Sequence, residues 1–498
     1  MILYAVCSYL LSCFLVLRLE AVFILQYYHP KRFLLFLVQH LRSFSFLRFL
    51  QIFFFLFSHI AYFFFPYLVP YLSFFLFACF LLSDWLHPMK WTKRSIRFAI
   101  TSLMMLSFFF FLDAKALYFV SLYSWLWLPF FLLFIWEILF PIESMIRLHY
   151  IHQAKRKLAG FSHLTIIAIT GSYGKTSFKY YLKQILSFRY AVQATEHSIN
   201  TCMGLTKYIN QELEETTEIV ILECGVDEKG GMDKILRLFH PHIAVLTAIG
   251  EMHLATFKTV DNILHEKIKL LNAVNHPHLA FYAGEFSLLK NACQMRGFTP
   301  YQKEDFFFDI HRTKEGGEAV FQIEEKKKKI TIPLYGNFQF THLSGAIHIA
   351  LYFGFTFEEL AFLLPSLRGE EHRLQKRFVG QMILLDDAYN GNEEGIKEGI
   401  RCIKEMEGRK AIITPGVIEL GSASKIVNYR LGKEMIGLDA IYLVGDEKHP
   451  AKKGYIENGG NPQFIRIVKN FSEGFACAKK EGIQAVYVAN DTYRSFIK

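Results

Sequence analysis

The residues best able to do chemistry stand in one short run: Gly171, Ser172, Tyr173, Gly174, Lys175, Thr176 and Ser177. Glycines let backbone N–H groups turn toward an anion, because they accept conformations that a Cβ disfavours. The lysine after the second glycine supplies a point charge for the β- and γ-phosphates, and the next hydroxyl is a ligand for Mg²⁺. A carboxylate, Glu223, closes the apolar run "IVILECG" at 219–225. At the C-terminal edge of a parallel strand, such a group faces a phosphate loop and holds a metal. ATP and Mg²⁺ are the cofactors this pattern calls for.

Chemistry of this kind needs a strand, a glycine turn and a helix in that order. "LTIIAIT" at 164–170 reads as a strand buried in a parallel sheet, and "FKYYLKQILSF" at 178–188 has apolar residues at helical spacing. The run "PHIAVLTAIGEMHLATFKTVDNILHEKIKLL" at 241–271 repeats strand then helix, and 410–435, 440–445 and 485–491 add further strand-and-turn units.

The two glycines of the loop are separated by two residues instead of the usual four. That shorter loop resembles the Mur ligase family, ATP-dependent amide-bond-forming enzymes that build the peptide stem of bacterial peptidoglycan. The resemblance covers about 164–498 and implies roles for particular residues. His253 matches a second Mg²⁺ ligand beside Thr176 and Glu223, and Lys267, fourteen residues on, matches a lysine carbamylated in several members. In "ATEHSINTCMGL" (194–205), Asn200 matches a position near the γ-phosphate, with Thr195 a weaker match. Where the family has G-x-H-N-x-x-N and an asparagine on adenine, this chain has Gly336, Phe338, Gln339 and His342, and Gln339 is expected to substitute through its own amide. "RGEEHRLQKRFVGQMILLDDAYNGN" (368–392) resembles the segment that reaches ATP from a separate domain. Arg373 is then expected on the γ-phosphate or acyl phosphate, Asp387 on the ribose, and Tyr389 and Asn390 on the adenine side. The wording "TPGVIELG" (414–421) resembles the MurF branch, which adds D-alanyl-D-alanine to UDP-N-acetylmuramoyl-tripeptide.

The first 150 residues read differently. They hold 28 of the 51 Phe, with 11 basic and 5 acidic residues, against 44 and 40 in the remainder. A soluble part so nearly balanced argues against nucleic acid as a partner. Apolar runs at 2–27, 50–82 (with Pro66 and Pro70 inside), 98–112 and 117–140 predict four or five membrane spans. Basic loops at 28–48, 83–97 and 147–157 predict that the remainder faces the cytoplasm. The eight cysteines are scattered without a C-x-x-C pair, so no zinc ribbon or dithiol site is indicated.

The expected architecture is a transmembrane α-helical region over 1–150, a P-loop α/β central domain over 160–355, and a Rossmann-like α/β domain over 365–498. The expected protein is a multi-pass inner-membrane ligase with cytoplasmic catalytic domains. Its expected partners are UDP-muramoyl tripeptide, D-alanyl-D-alanine, the lipid bilayer and other cell-wall precursor enzymes. Two alternatives stay open: a ligase of the same kind acting on a lipid-linked or other carboxylate, and a membrane-tethered ATP-binding scaffold.

Overall fold

The computed structural model describes residues 91–112, 124–196, 199–250, 254–313, 316–389, 392–418 and 424–490, with isolated positions between 16 and 34. The chain divides into two units, Met1–Leu148 and His149–Lys498. The expected spans at 2–27 and 50–82 fall largely or wholly outside the described residues, as do His253 and Asn390.

In the first unit, helix α1 (Lys93–Leu112) and the longer α2 (Ser124–Ala159), whose last turns belong to the second unit, carry the described structure. Phe98 and Leu106 of α1 share a buried cluster with Leu132, Ile135 and Trp136 of α2. Arg97 Nη2 pairs with Glu143 Oε1 at 2.6 Å. The expectation of a multi-pass membrane protein is corrected here: among the described residues no helix is long and apolar enough to cross a membrane. A span needs roughly 20 apolar residues. The uncharged part of α1 runs only from Phe98 to Leu112, and Glu137, Glu143 and Arg147 interrupt the described apolar stretch of α2.

The second unit holds two parallel sheets. The central one is built from β1 (Thr165–Thr170), β2 (Val192–Ala194), β3 (Ile219–Glu223), β4 (Ile243–Leu246), β5 (Ala280–Ala283) and β6 (Thr299–Tyr301). Their spatial order is β2-β3-β1-β4-β5-β6, every pairing parallel. Ile167, Ala168 and Ile169 are fully buried, as a strand covered by helices on both faces requires. Helix α3 (Lys175–Leu186) follows β1, α4 (Cys202–Gln211) follows β2, and α5 (Val260–Asn272) comes after β4. An antiparallel trio, β7 (Phe307–Arg312), β8 (Gly317–Ile323) and β9 (Lys326–Ile332), leads into α6 (Asn337–Tyr352). Gly345 lets α6 lie close to α3: a Cβ there would stand 2.6 Å from the Phe178 ring.

The C-terminal sheet has the order β10-β11-β15-β12-β13-β14. Its strands are β10 (Gln375–Val379), β11 (Met382–Asp387), β12 (Lys410–Thr414), β13 (Ala440–Val444), β14 (Ile465–Val468) and β15 (Ala485–Ala489). Only the edge strand β10 runs antiparallel to its neighbour. In both sheets the expected ligand residues stand at the C-terminal ends of parallel strands, Glu223 on β3 and Asp387 on β11, where open α/β sheets bind ligands.

Candidate active site

The phosphate loop leaves the C-terminal end of the central strand. Register pairs Ile169 with Glu223 and Thr170 with Leu246, so loop, carboxylate and the β4 exit lie side by side. Ser172 N–H donates to Ala248 O at 2.7 Å, Gly250 N–H donates to Ser172 Oγ at 3.1 Å, and Thr247 Oγ1 donates to Tyr173 O. Gly174 caps α3 at φ 78° with no side-chain cap bond, which leaves the first N–H groups of the helix for an anion. A Cβ on Gly174 would stand 2.1 Å from His342 Nε2, so both its conformation and its neighbour demand glycine.

Three lysines converge on this loop. Lys175 Nζ and Lys267 Nζ, the second from α5, each donate to Gly171 O at 2.8 Å. Lys179, one turn beyond Lys175, lies 3.2 Å from Glu223 Oε2. Asn200 Nδ2 donates to Glu223 Oε1 at 3.2 Å. Burial depresses the Lys175 pKa; Glu223 opposes that effect, and the nearby Arg373 adds to it. Lys267 is driven well below the usual lysine range by burial and then by Lys175. Burial therefore disfavours the ammonium form of both lysines, and an anion brought beside them favours it. Uptake of a polyanion and charging of these lysines are thus mutually favourable.

The donor set also fits Mg²⁺. Glu223 is buried, its Oε2 accepts no well-directed hydrogen bond, and the Thr176 hydroxyl opens α3. Hard oxygen donors beside a phosphate loop are what this ion takes, with the phosphates supplying the remainder. No cluster of three His, Cys, Asp or Glu occurs among the described residues.

The second half of the site is a turn before β10. His372 and Leu374 both have positive φ, 60° and 52°, with Arg373 between them. Non-glycine residues stay in that region only when their surroundings hold them there. Here His372 Nδ1 donates to Asp386 Oδ2 at 2.7 Å, Leu374 N–H donates to Asp387 Oδ1 at 2.9 Å, and Tyr389 N–H donates to His372 O at 3.2 Å. Arg373 Nε lies 3.8 Å from Glu370 Oε2, too far for a hydrogen bond.

Against known proteins, residues 169–350 match the Mur ligase middle domain. The UDP-N-acetylmuramoyl-tripeptide–D-alanyl-D-alanine ligase of Bacillus subtilis is 29% identical over 331 residues, which is 64% of this chain and 69% of that protein. The enzyme of the same name from Escherichia coli is 23% identical over 57% of this chain and 65% of its own length. The chain thus spans about two thirds of these relatives. In fold it is similar to the MurF ligase of Thermotoga maritima in complex with ADP, with a TM-score of 0.61 and 23% identity over 70% of this chain and 81% of that one. MurF from Acinetobacter baumannii gives 0.60 and 20% over 69% and 78%. The two sheets accordingly form a MurF-like multi-domain α/β fold.

Within and around the middle domain, the structure brings Lys175, Thr176, Glu223, Asn200 and Lys267 together and sets Arg373 close enough to Lys175 to act on its charge. Two expected ligand residues are engaged elsewhere. Gln339 Oε1 accepts the Tyr181 hydroxyl at 2.5 Å inside the α3–α6 contact. Asp387 is 2% exposed and accepts from Leu374 N–H and, at 2.8 Å, from the Tyr487 hydroxyl. Tyr389 is exposed, with its ring 5.0 Å from that of His372. A cavity of about 1350 Å³ is lined by Gln339, Arg373 and Lys376 but by no residue of the phosphate loop. Its other walls come from the β9–α6 connection (Pro333, Leu334, Tyr335) and from β10 and β11 (Gln375, Phe378, Ile383). The sequence reading missed Lys179 and the His372–Asp386 pair. Lys179 had a signal, four residues after Lys175 on the same helix face. The pair had none, because it joins a turn to a strand end.

Proposed function

We propose that this chain is an ATP-dependent ligase joining D-alanyl-D-alanine to UDP-N-acetylmuramoyl-tripeptide in peptidoglycan synthesis. One observation carries the reading: buried Lys175 and Lys267, both with depressed pKa, converge on a glycine loop beside Glu223, with Arg373 delivered from the second sheet. The naming of the tripeptide and the dipeptide follows the relatives.

The triphosphate lies on the loop and the α3 N-terminus. Lys175 neutralises its β- and γ-oxygens; Thr176 and Glu223 would hold Mg²⁺, which when bound would supply further charge neutralisation for phosphoryl transfer. Asn200 orients Glu223. A carboxylate oxygen of the tripeptide attacks the γ-phosphorus, the bond to the β-phosphate oxygen breaks, and ADP and an acyl phosphate result. The dipeptide amine, having lost a proton, attacks the acyl carbon; the carbon–oxygen bond breaks and inorganic phosphate leaves. Arg373 stabilises the charge on the phosphoryl oxygens in both steps. Positioning and neutralisation account for the catalysis, and no covalent enzyme intermediate is needed.

The test is phosphate release by the full chain from ATP and Mg²⁺, with each amide partner omitted in turn. Release that needs both UDP-N-acetylmuramoyl-tripeptide and D-alanyl-D-alanine is expected. ATP bound without phosphate release under any combination would leave a nucleotide-binding scaffold. Release with another carboxylate alone would change the substrate and keep the chemistry.

A further inference from the structure

The carboxylate assigned to the metal already has a cation of its own. Glu223 is 1% exposed and Lys179 5%, and their charged atoms stand 3.2 Å apart. Glu223 Oε1 is fixed by Asn200, while Oε2 accepts no well-directed hydrogen bond. The Lys179 contact is therefore one of charge more than of geometry, and a competing cation can displace it. Lys175 and Lys267 donate to Gly171 O within the same buried space, where screening by solvent is weak.

We propose that Lys179 is a positioning residue and built-in counter-cation. It neutralises Glu223 in the nucleotide-free protein and so keeps a divalent ion off the site until phosphates arrive. The inference rests on the nucleotide-site reading above. A divalent cation on Glu223 alone would have to displace the Lys179 ammonium that already compensates this one carboxylate, and Coulomb repulsion at such distances is large in a poorly solvated site. A triphosphate reverses the balance, because its oxygens take up the lysines and supply the remaining metal ligands. Metal and nucleotide then enter as one unit, and the site is spared a tightly held ion that would block phosphate entry.

The measurement is thermal unfolding of the full chain with Mn²⁺ alone, with Mg²⁺ and ADP together, and with neither. For the wild type, Mg²⁺ with ADP raises Tm, while Mn²⁺ alone does not at concentrations well above its range in the variant. Lys179→Met lowers Tm in the absence of metal, since a buried carboxylate has lost its partner. Mn²⁺ alone then restores stability, with a half-saturating concentration at least about tenfold below that of the wild type, the size of one opposite-charge contact. Lys179→Arg keeps the cation and behaves as wild type. A purely structural lysine predicts the lower Tm but no gain in Mn²⁺ affinity, and that result overturns the proposal. So does a wild type that binds Mn²⁺ alone as tightly as it does with ADP, a measurement that needs no variant to fold. If Mg²⁺ with ADP leaves the wild-type Tm unmoved, the nucleotide-site reading itself has failed, and the proposal falls with it.

Discussion

The two halves of the site are built by opposite means. The central half is a backbone structure: Gly171 O accepts two lysines, Ser172 and Thr247 tie the loop to the β4 exit, and the strand register alone brings Glu223 alongside. The C-terminal half is a side-chain structure. One arginine stands on a turn whose neighbours both hold positive φ, kept there by two adjacent carboxylates at the end of β11. A preformed cradle can bind nucleotide by itself. An arginine on the turn before β10 already acts on the charge of Lys175, but it is held by the C-terminal sheet and not by the loop. The proposed function assigns binding to the first half and completion of the transition state to the second.

That division can be broken most directly at the two cations. Lys175→Ala is expected to lower phosphate release by about 10³-fold or more and to weaken ATP binding with it, since the charge serves bound nucleotide and transition state alike. Arg373→Ala is expected to lower turnover by roughly 10²–10³-fold, while ADP affinity, measured by calorimetry, stays within about threefold of wild type. Equal losses of ADP affinity in both variants would show that the arginine belongs to the binding half.

A smaller effect sharpens the comparison. His372→Ala removes the bond to Asp386 that holds the turn, but no atom near the phosphate loop. The expected result is a kcat about tenfold lower with an unchanged KM for ATP. His372→Asn, which retains a donor for the carboxylate, should recover part of the loss. A rise in KM with kcat intact would instead place His372 on the nucleotide. This pair also shows where reading the sequence runs out. Lys175 and Glu223 were readable because a strand, a glycine turn and a second strand end are local patterns whose pairing the parallel sheet dictates. Gln339 and Asp387 were assigned to ligand on motif alone. Their side chains meet Tyr181 and Tyr487, partners 158 and 100 residues away. Nothing in a local pattern reports such meetings, because they depend on how α3 packs on α6 and on which strand lies beside β11. Of the apolar runs behind the membrane expectation, those at 98–112 and 117–140 meet described helices, and charge bounds or interrupts the apolar stretch of both α1 and α2.

The smallest expected effect concerns His342, packed against Gly174 with its Nδ1 buried and unpartnered. Burial alone pulls its pKa from the ordinary 6.5 to about 4. The imidazole is thus neutral beside the phosphate loop at neutral pH and adds no charge there. The linkage has a definite sign. Between pH 6.5 and 4 the unfolded chain binds a proton that the folded one refuses, so stability falls as pH falls through that window, by up to about 3 kcal/mol. His342→Phe fills similar space without titrating, and its stability should fall less steeply over the same range. His242 and His449, whose pKa values burial also lowers, titrate in both proteins and cancel in the difference. Parallel Tm-against-pH curves for the two proteins would mean that His342 finds a proton partner in the folded chain. The central half of the site would then carry one more positive charge in acid than its bonding shows, and the contrast between a preformed cradle and a delivered arginine would weaken as pH falls.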